Sequence, residues 1–191
     1  MREYRKPLIV FNSKSLLRHP MARSTLEEMA SGTHFQPIIP ANPRRVKKVS
    51  RIVLCSGQVY YALEKARALN HLDHVAIVRI EQLSPLPYEL LVAELDRYPT
   101  EAEITYCQEE PMNLGPFPYV EPRLEAALLA HSKRHAGKRA GYAGRRPTAA
   151  VATGFKSVHV QEELELLAQA LLGDGNAEVE SMNAGVPIWQ K

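Results

Sequence analysis

The chain has 191 residues, of which 45% are hydrophobic and 24% are charged, the size and composition of one globular domain with a substantial core. No apolar run approaches the roughly 20 residues of a membrane-spanning helix, and the first residues lack the apolar core of a secretory signal, so the sequence predicts a soluble chain. The formal net charge is only +3, and we interpret the basic clusters at 44–48 and 133–139 as solvated loops, with nucleic-acid binding as the weaker alternative.

Short runs of β type alternate along the chain with longer segments of helical period. The strand runs are almost continuously apolar, as a sheet covered on both faces requires. The sequence therefore predicts an α/β fold, a three-layer αβα sandwich with a mostly parallel sheet of about five strands. In chain order, we predict strands over 7–11, 50–55, 74–80 and 103–107, and helices over 20–30, 58–69, 88–97, 118–131 and 159–172.

Three patterns suggest a metal or cofactor, and each has a simpler interpretation. Cys55 and Cys107 end predicted strands and are interpreted as buried thiols in a reducing compartment. His131 and His135 have the i, i+4 spacing of zinc ligands, but without the following Glu a solvated helix end is the better interpretation. Gly-Asp-Gly at 173–175 matches the start of a thiamine-diphosphate motif by accident, since it follows a helix and the chain ends too soon. We therefore predict no catalytic, cofactor-binding or metal residue in this chain.

The loops that follow the predicted strands carry most of the candidate site residues. In open α/β sheets, ligands bind beyond the carboxyl ends of the strands. If the predicted strands are parallel neighbours, their following loops share one edge of the sheet. These loops are 12–15, 56–57, 81–85 and 108–110.

Two of these loops could hold an anion. Ser56 and Gly57 end a strand and open a helix, so their N–H groups could bind an anion, although a tight turn with a serine cap is the commoner explanation. Lys14, Ser15 and Arg18 supply a hydroxyl and two cations, enough to bind a phosphate or a partner's carboxylate, or they form a solvated charged loop.

The sequence Gln108-Glu109-Glu110 places two carboxylates after a strand. Neighbouring residues of an extended chain point to opposite faces, which argues against an acid/base pair acting on one substrate atom. A metal would need further ligands, and only Gln108 and Asn113 lie nearby. We therefore predict a loop whose hydrogen bonds fasten local or subunit geometry, facing a neighbouring domain or protomer.

The sequence contains five motifs in a fixed order. They are KPLIVFNSKSLLRHPMARSTLEEMASGTHFQPIIP (6–40), RIVLCSGQVYYAL (51–63), VAIVRIEQLSPLP (75–87), YCQEEPMNLG (106–115) and YAGRRPTAAVATG (142–154). In this order the motifs resemble the C-terminal, transketolase-type domain of the E1 component of 2-oxoglutarate dehydrogenase over about residues 6–172, and GTHFQ is most similar to mitochondrial members. One departure is at 113–115, where this chain has Asn-Leu-Gly and the family usually has Asn-Gln-Gly.

The resemblance implies a part of an enzyme. The family decarboxylates 2-oxoglutarate with thiamine diphosphate and Mg²⁺ and passes the succinyl group to the lipoyl arm of the E2 component. Those cofactors bind in the preceding domains, so residues 1–172 would form a structural and assembly domain that is inactive alone, with 173–191 as a flexible tail. The implied partners are the upstream E1 domains, a second E1 protomer in a homodimer and the E2 succinyltransferase, without nucleic acid or membrane, and the implied location is the mitochondrial matrix.

An alternative is that the chain is a regulatory module of that enzyme. In some actinobacterial relatives this domain takes part in an acetyl-CoA site, and Ser15 matches a position there. The module would then bind an acyl-CoA or a nucleotide through Lys14, Ser15, Arg18 and the Ser56–Gly57 turn.

Overall fold

The computed structural model describes residues 3–42 and 46–173, which fall into two compact units. The first unit runs to Thr33 and the second begins at His34. The first unit contains two single-turn 3₁₀ helices, Leu16–Arg18 and Glu27–Met29, and none of its described residues is buried. It therefore has no hydrophobic core of its own within the described residues.

Both elements predicted in the first unit are wrong. Residues 7–11 form no strand, because no described strand pairs with them. In place of the helix at 20–30, Thr25 and Glu28 form a reciprocal capping box, with N–H of Thr25 donating to Glu28 Oε2 at 2.7 Å and N–H of Glu28 donating to Thr25 Oγ1 at 3.3 Å. Only one 3₁₀ turn follows this box, because helix nucleation is costly and no apolar face is buried there to offset that cost.

The second unit contains one five-stranded sheet, and the predicted α/β fold is confirmed. Its spatial order is β1-β3-β2-β4-β5, with β1 antiparallel to β3 and the other neighbours parallel. The strands are β1 Ile38–Ile39, β2 Arg51–Cys55, β3 Val75–Ile80, β4 Glu103–Pro111 and β5 Gly141–Arg145. The helices are α1 Val59–Leu69, α2 Tyr88–Leu95, α3 Phe117–His131 and α4 Lys156–Leu172.

Helices cover both faces of the sheet, as the apolar strands predict. Alternation along β2 sends Ile52 and Leu54 toward α2 and α3, and sends Val53 and Cys55 toward α1 and α4. Cys107 of β4 lies in the same cluster as Cys55, and both thiols are free and buried, as predicted. The three layers therefore bury two separate apolar clusters, one on each side of the sheet.

The strand boundaries differ from the sequence prediction at three places. Strands β1 and β5 were not predicted, since β1 has only two residues and β5 (GYAGR) contains two glycines and few β-forming side chains. Strand β4 continues to Pro111, where it pairs with Arg145 of β5 after an irregularity that begins at Cys107. Residues 108–110 therefore lie within a strand and not in the loop that the sequence predicted.

The end of α2 is tied to the residues after α3 through one carboxylate. Asp96 accepts hydrogen bonds from the hydroxyl of Ser132 at 2.6 Å and from the N–H groups of Lys133 at 2.9 Å and Arg134 at 3.2 Å. Burial raises the pKa of Asp96, but these three hydrogen bonds outweigh it and the net shift is downward. The ionised carboxylate thereby fixes the turn that leads toward β5.

His135 follows this turn and is completely buried. Its Nε2 donates to the carbonyl oxygen of Leu95 at 3.0 Å, and its Nδ1 has no hydrogen-bond partner among the described residues. Burial and the nearby Lys138 charge lower the pKa of His135. The interpretation of His135 as part of a solvated helix end is wrong, because α3 ends at His131 and the His135 side chain is completely buried.

We expect the free energy of unfolding to decrease as the pH falls from 7.5 to 5.5. The unfolded His135 binds a proton near its usual pKa of about 6.5, whereas the folded ring, whose pKa is lowered, stays neutral, so protons favour the unfolded state. Urea unfolding at several pH values measures this slope. The His135→Gln variant keeps an N–H donor without a titrating ring and should lose part of the slope; an unchanged slope would contradict the prediction.

Candidate functional site

The carboxyl edge of the parallel sheet brings the end of β4 to the start of α1. Gly57, at φ +75°, forms the tight turn after β2, and Gln58 is the N-cap residue of α1. The Gln58 side-chain amide donates to the Glu109 carboxylate, at 3.0 Å to Oε2 and 3.3 Å to Oε1. The hydroxyl groups of Ser56 and Tyr106 lie 3.1 Å apart and link the same two strands. Three of the predicted site residues, Ser56, Gly57 and Glu109, therefore share this edge.

The Glu109 carboxylate is half-buried and differs from its neighbour. Burial raises the pKa of Glu109, and the hydrogen bond from Gln58 opposes that shift without cancelling it. The side chain of Glu110 is exposed. An anion approaching the turn at Ser56 and Gly57 would therefore meet a carboxylate of the chain itself.

Gln108 occupies the centre of this region and is 1% exposed. Its Nε2 donates to the carbonyl oxygens of Glu110 at 3.1 Å and Pro111 at 3.0 Å, and its Oε1 accepts from N–H of Phe117 at 2.8 Å. Phe117 is the first residue of α3. One side-chain amide thus joins the end of β4 to the start of α3.

The absence of a side chain at two glycines makes room for Gln108. A Cβ atom at Gly115 would lie 2.4 Å from Nε2 of Gln108, and a Cβ atom at Gly144 would lie 2.9 Å from its carbonyl oxygen and 2.4 Å from the hydroxyl of Tyr142. All three distances are shorter than real Cβ contacts, so a side chain at either position would displace the residues around Gln108. The glycine at 115 is part of the Asn-Leu-Gly sequence of this chain.

Arg145 is the residue of this edge that the sequence analysis missed. At the end of β5, its Nη1 donates to the carbonyl oxygen of Glu109 at 2.7 Å and its Nε pairs with Glu162 of α4 at 2.9 Å. Its Nη2 lies 3.2 Å from Nδ1 of His159, and the hydroxyl of Thr153 donates to Glu162 at 2.6 Å. These hydrogen bonds use every nitrogen of the guanidinium, so Arg145 links the backbone of β4 to helix α4.

The remaining predicted anion-binding residues lie in the first unit. Lys14, Ser15 and Arg18 are exposed, and the hydroxyl of Ser15 lies 2.8 Å from that of Ser13. Residues 12–15 follow no strand in the described chain, so the strand on which their expected place at the sheet edge depended is absent there. Binding of an acyl-CoA or nucleotide by these residues with Ser56 and Gly57 stays a prediction.

The predicted metal and cofactor motifs can be compared with the described residues. Within 3–42 and 46–173, no group of three or more His, Cys, Asp or Glu side chains could hold a metal ion. Gly173 caps the end of α4, while residues 174 and 175 of the Gly-Asp-Gly match, like the predicted tail, lie outside the described residues. No helix in the described part of the chain is long and apolar enough to cross a membrane.

These features define the class of protein as an α/β domain. At the carboxyl edge of its sheet, the side chains are hydrogen-bonded to groups of the same chain. Residues 23–171 match the model of the family described as 2-oxoglutarate dehydrogenase C-terminal, and the chain belongs to that family. The match begins inside the first unit and ends one residue before the last residue of α4.

Named relatives agree with the family assignment. The chain is 44% identical over 176 residues to 2-oxoglutarate dehydrogenase, mitochondrial, from Schizosaccharomyces pombe, covering 90% of this chain and 17% of the relative. It is 42% identical over 185 residues to the protein of the same name from Caenorhabditis briggsae, covering 95% and 17%. It is 41% identical over 172 residues to a probable 2-oxoadipate dehydrogenase complex component E1 homolog from Dictyostelium discoideum, covering 89% and 18%. The chain thus spans less than one fifth of the length of these relatives.

We expect Gln108→Ala to lower the free energy of unfolding by about 1–3 kcal/mol, because it leaves the partly buried N–H of Phe117 without an acceptor. Urea unfolding measures the change. Gln161→Ala is the matched control, since the exposed Gln161 amide bonds only to Glu165 and its loss should cost about 0.5 kcal/mol or less. Equal effects of the two substitutions would contradict the central role of Gln108.

We expect Glu109→Gln to maintain or raise stability at pH 7. The raised pKa of Glu109 means that folding disfavours its ionised form, and a neutral amide removes that cost while keeping an acceptor for Gln58. The advantage over the unmodified chain should shrink as the pH falls toward about 4.3, the usual pKa of Glu, where the native carboxyl becomes neutral as well.

The measurement is the melting temperature of both proteins from pH 7.5 to pH 4.5. Glu110→Gln, at the exposed neighbouring position, is the control for the loss of one negative charge. A drop in stability for Glu109→Gln at pH 7 that exceeds the drop for Glu110→Gln would show that the Glu109 charge stabilises the fold.

Proposed function

We propose that this chain is the C-terminal assembly part of a 2-oxoglutarate dehydrogenase E1 component and contributes no catalytic group of its own. The observation that carries the proposal is that side chains at the carboxyl edge of the sheet already have hydrogen-bond partners within the chain. At the place where α/β proteins usually bind ligands, Gln108, Glu109 and Arg145 are hydrogen-bonded to groups of the chain itself. Such an edge holds elements in place and offers no free acid, base or nucleophile from these three residues.

The reaction then belongs to the rest of the E1 polypeptide. In this proposal, thiamine diphosphate with Mg²⁺ binds in that remaining part and supplies the decarboxylation of 2-oxoglutarate. The partners of the chain are the other E1 domains, a second E1 protomer and, through the assembled enzyme, the E2 succinyltransferase.

The location and domain limits follow from the same proposal. The relatives from Schizosaccharomyces pombe and Caenorhabditis briggsae carry mitochondrial in their names, and we assign this chain to the mitochondrial matrix with them. We place the C-terminal domain, together with the segment that leads into it, within residues 1–172, which include the whole family match and the last residue of α4. The predicted facing of 108–110 toward a neighbouring domain or protomer stays part of this proposal.

A chimera tests the proposal. In the Schizosaccharomyces pombe relative, the aligned region is replaced by this chain, and 2-oxoglutarate-dependent reduction of an artificial electron acceptor is measured with thiamine diphosphate and Mg²⁺. We expect activity within about tenfold of the unmodified relative, because 44% identity preserves the fold that the other domains contact. The isolated chain and the relative without its aligned region should both be inactive.

Two outcomes would overturn the proposal. Turnover of 2-oxoglutarate by the isolated chain would place the chemistry in these residues. A chimera that is folded, as judged by its circular dichroism and melting curve, but inactive would show that this chain cannot replace the aligned region.

A further inference from the structure

The first unit carries an apolar segment that no other part of that unit covers. Leu8, Ile9, Val10 and Phe11 are 86%, 77%, 72% and 95% exposed. Soluble proteins rarely expose contiguous apolar patches of this kind unless the patch binds a partner. The four side chains are therefore available for an interaction.

The backbone of this segment is equally free. Residues 8–11 belong to no helix, strand or turn, and their N–H and C=O groups form no hydrogen bond with any described residue. Such unpaired backbone groups can pair with the edge of a sheet. A branched Ile9 and Val10 followed by Phe11 favour a strand, and Pro7 suits the first position of one.

The side-chain pattern defines the kind of sheet that would accept this strand. Successive residues of a strand point to opposite faces, and here all four are apolar. Both faces of the resulting strand would need cover, as in a sheet with helices on each side. A sheet with one solvated face would instead call for alternation of apolar and polar residues.

The apolar segment lies outside the C-terminal family match. That match begins at residue 23, whereas the alignment with the Caenorhabditis briggsae relative covers 95% of the chain. An aligned region of that size is longer than the span from residue 23 to residue 191, so it must extend into the first 22 residues. The relative therefore has sequence that corresponds to part of the first unit before the family match begins.

We propose that residues 7–11 are a β-strand of another domain, which adds to an open sheet edge in the part of the E1 polypeptide that this chain does not contain. This inference rests on the proposed function, because it takes the partner from the same enzyme. It also accounts for the exposed apolar side chains and the free backbone groups of the same segment.

Amide hydrogen exchange in the chimera described above tests the strand directly. We expect the amides of residues 8–11 to exchange at least about 100-fold more slowly in the chimera than in the isolated chain, as paired strand amides do. If the chimera is active but these amides exchange as fast as in the isolated chain, the strand is wrong and the proposed function stands. A folded but inactive chimera defeats the proposed function whatever the exchange rates are.

A matched pair of substitutions separates strand pairing from general surface effects. Ile9→Lys and Leu26→Lys each place a cation at an apolar position that is 77% or 80% exposed in the first unit. In the chimera, Ile9→Lys should lower the melting temperature and restore fast exchange at 8–11, while Leu26→Lys leaves both unchanged. In the isolated chain, neither substitution should change the melting temperature. Equal effects of the two in the chimera would overturn the proposal.

Self-association is the competing occupant of the same segment. If the isolated chain forms dimers whose formation slows exchange at residues 8–11, a second copy of the chain covers the segment and the proposal is wrong. Sedimentation of the isolated chain at several protein concentrations, with the Ile9→Lys variant as the comparison, tests for this dimer.

Discussion

The side-chain amide of Gln108 is the constraint on which the carboxyl end of the sheet depends. Both Pro116 and Pro118 lack an N–H group, and N–H of Tyr119 already bonds to the carbonyl of Pro116 at 3.0 Å. The N–H of Phe117 is therefore the donor of the first turn of α3 that needs an acceptor from elsewhere, and Gln108 supplies it. The same amide saturates two carbonyl oxygens at the end of β4, so strand and helix are positioned by one buried group.

Arg145 extends this constraint from α3 to the opposite layer. Its guanidinium joins the backbone of β4 to Glu162 of α4, while its own carbonyl accepts from N–H of Met112 at 3.1 Å and from the hydroxyl of Tyr142 at 2.7 Å. Because a half-buried guanidinium and carboxylate are costly to desolvate, each needs such a full set of partners. The side chains of this edge are therefore hydrogen-bonded within the chain itself, as the proposed assembly role requires.

The sequence predicted the centre of the sheet well and its borders poorly. The runs that became β2 and β3 are apolar except for Arg51 and Arg79 and lie between two helical layers, so local pattern and tertiary environment agree there. The two residues of β1 and the glycine-rich β5 gain their strand structure from a neighbour, β3 and β4 respectively. The candidate site was likewise predicted where the signal is local. Gln108 and Glu109 were identified because two adjacent carboxylates follow a strand. Arg145 was missed because the partners of its side chain are 14 to 36 residues away in the sequence.

Comparison of residues 7–11 with β5 shows why a strand cannot be assigned from composition alone. The segment PLIVF has the stronger β composition and forms no strand in the described chain, while GYAGR has the weaker one and pairs with β4 in parallel register. A strand requires a neighbour to accept its N–H and C=O groups, and the free energy of that pairing outweighs a propensity difference that spans about 1 kcal/mol. A strongly β-forming run without a neighbour is then informative in its own right, because the side chains that favour a strand also favour burial. Here the run at residues 7–11 lies before the family match, which begins at residue 23, and the neighbour that it lacks in the described chain is the one proposed above in the rest of the E1 polypeptide.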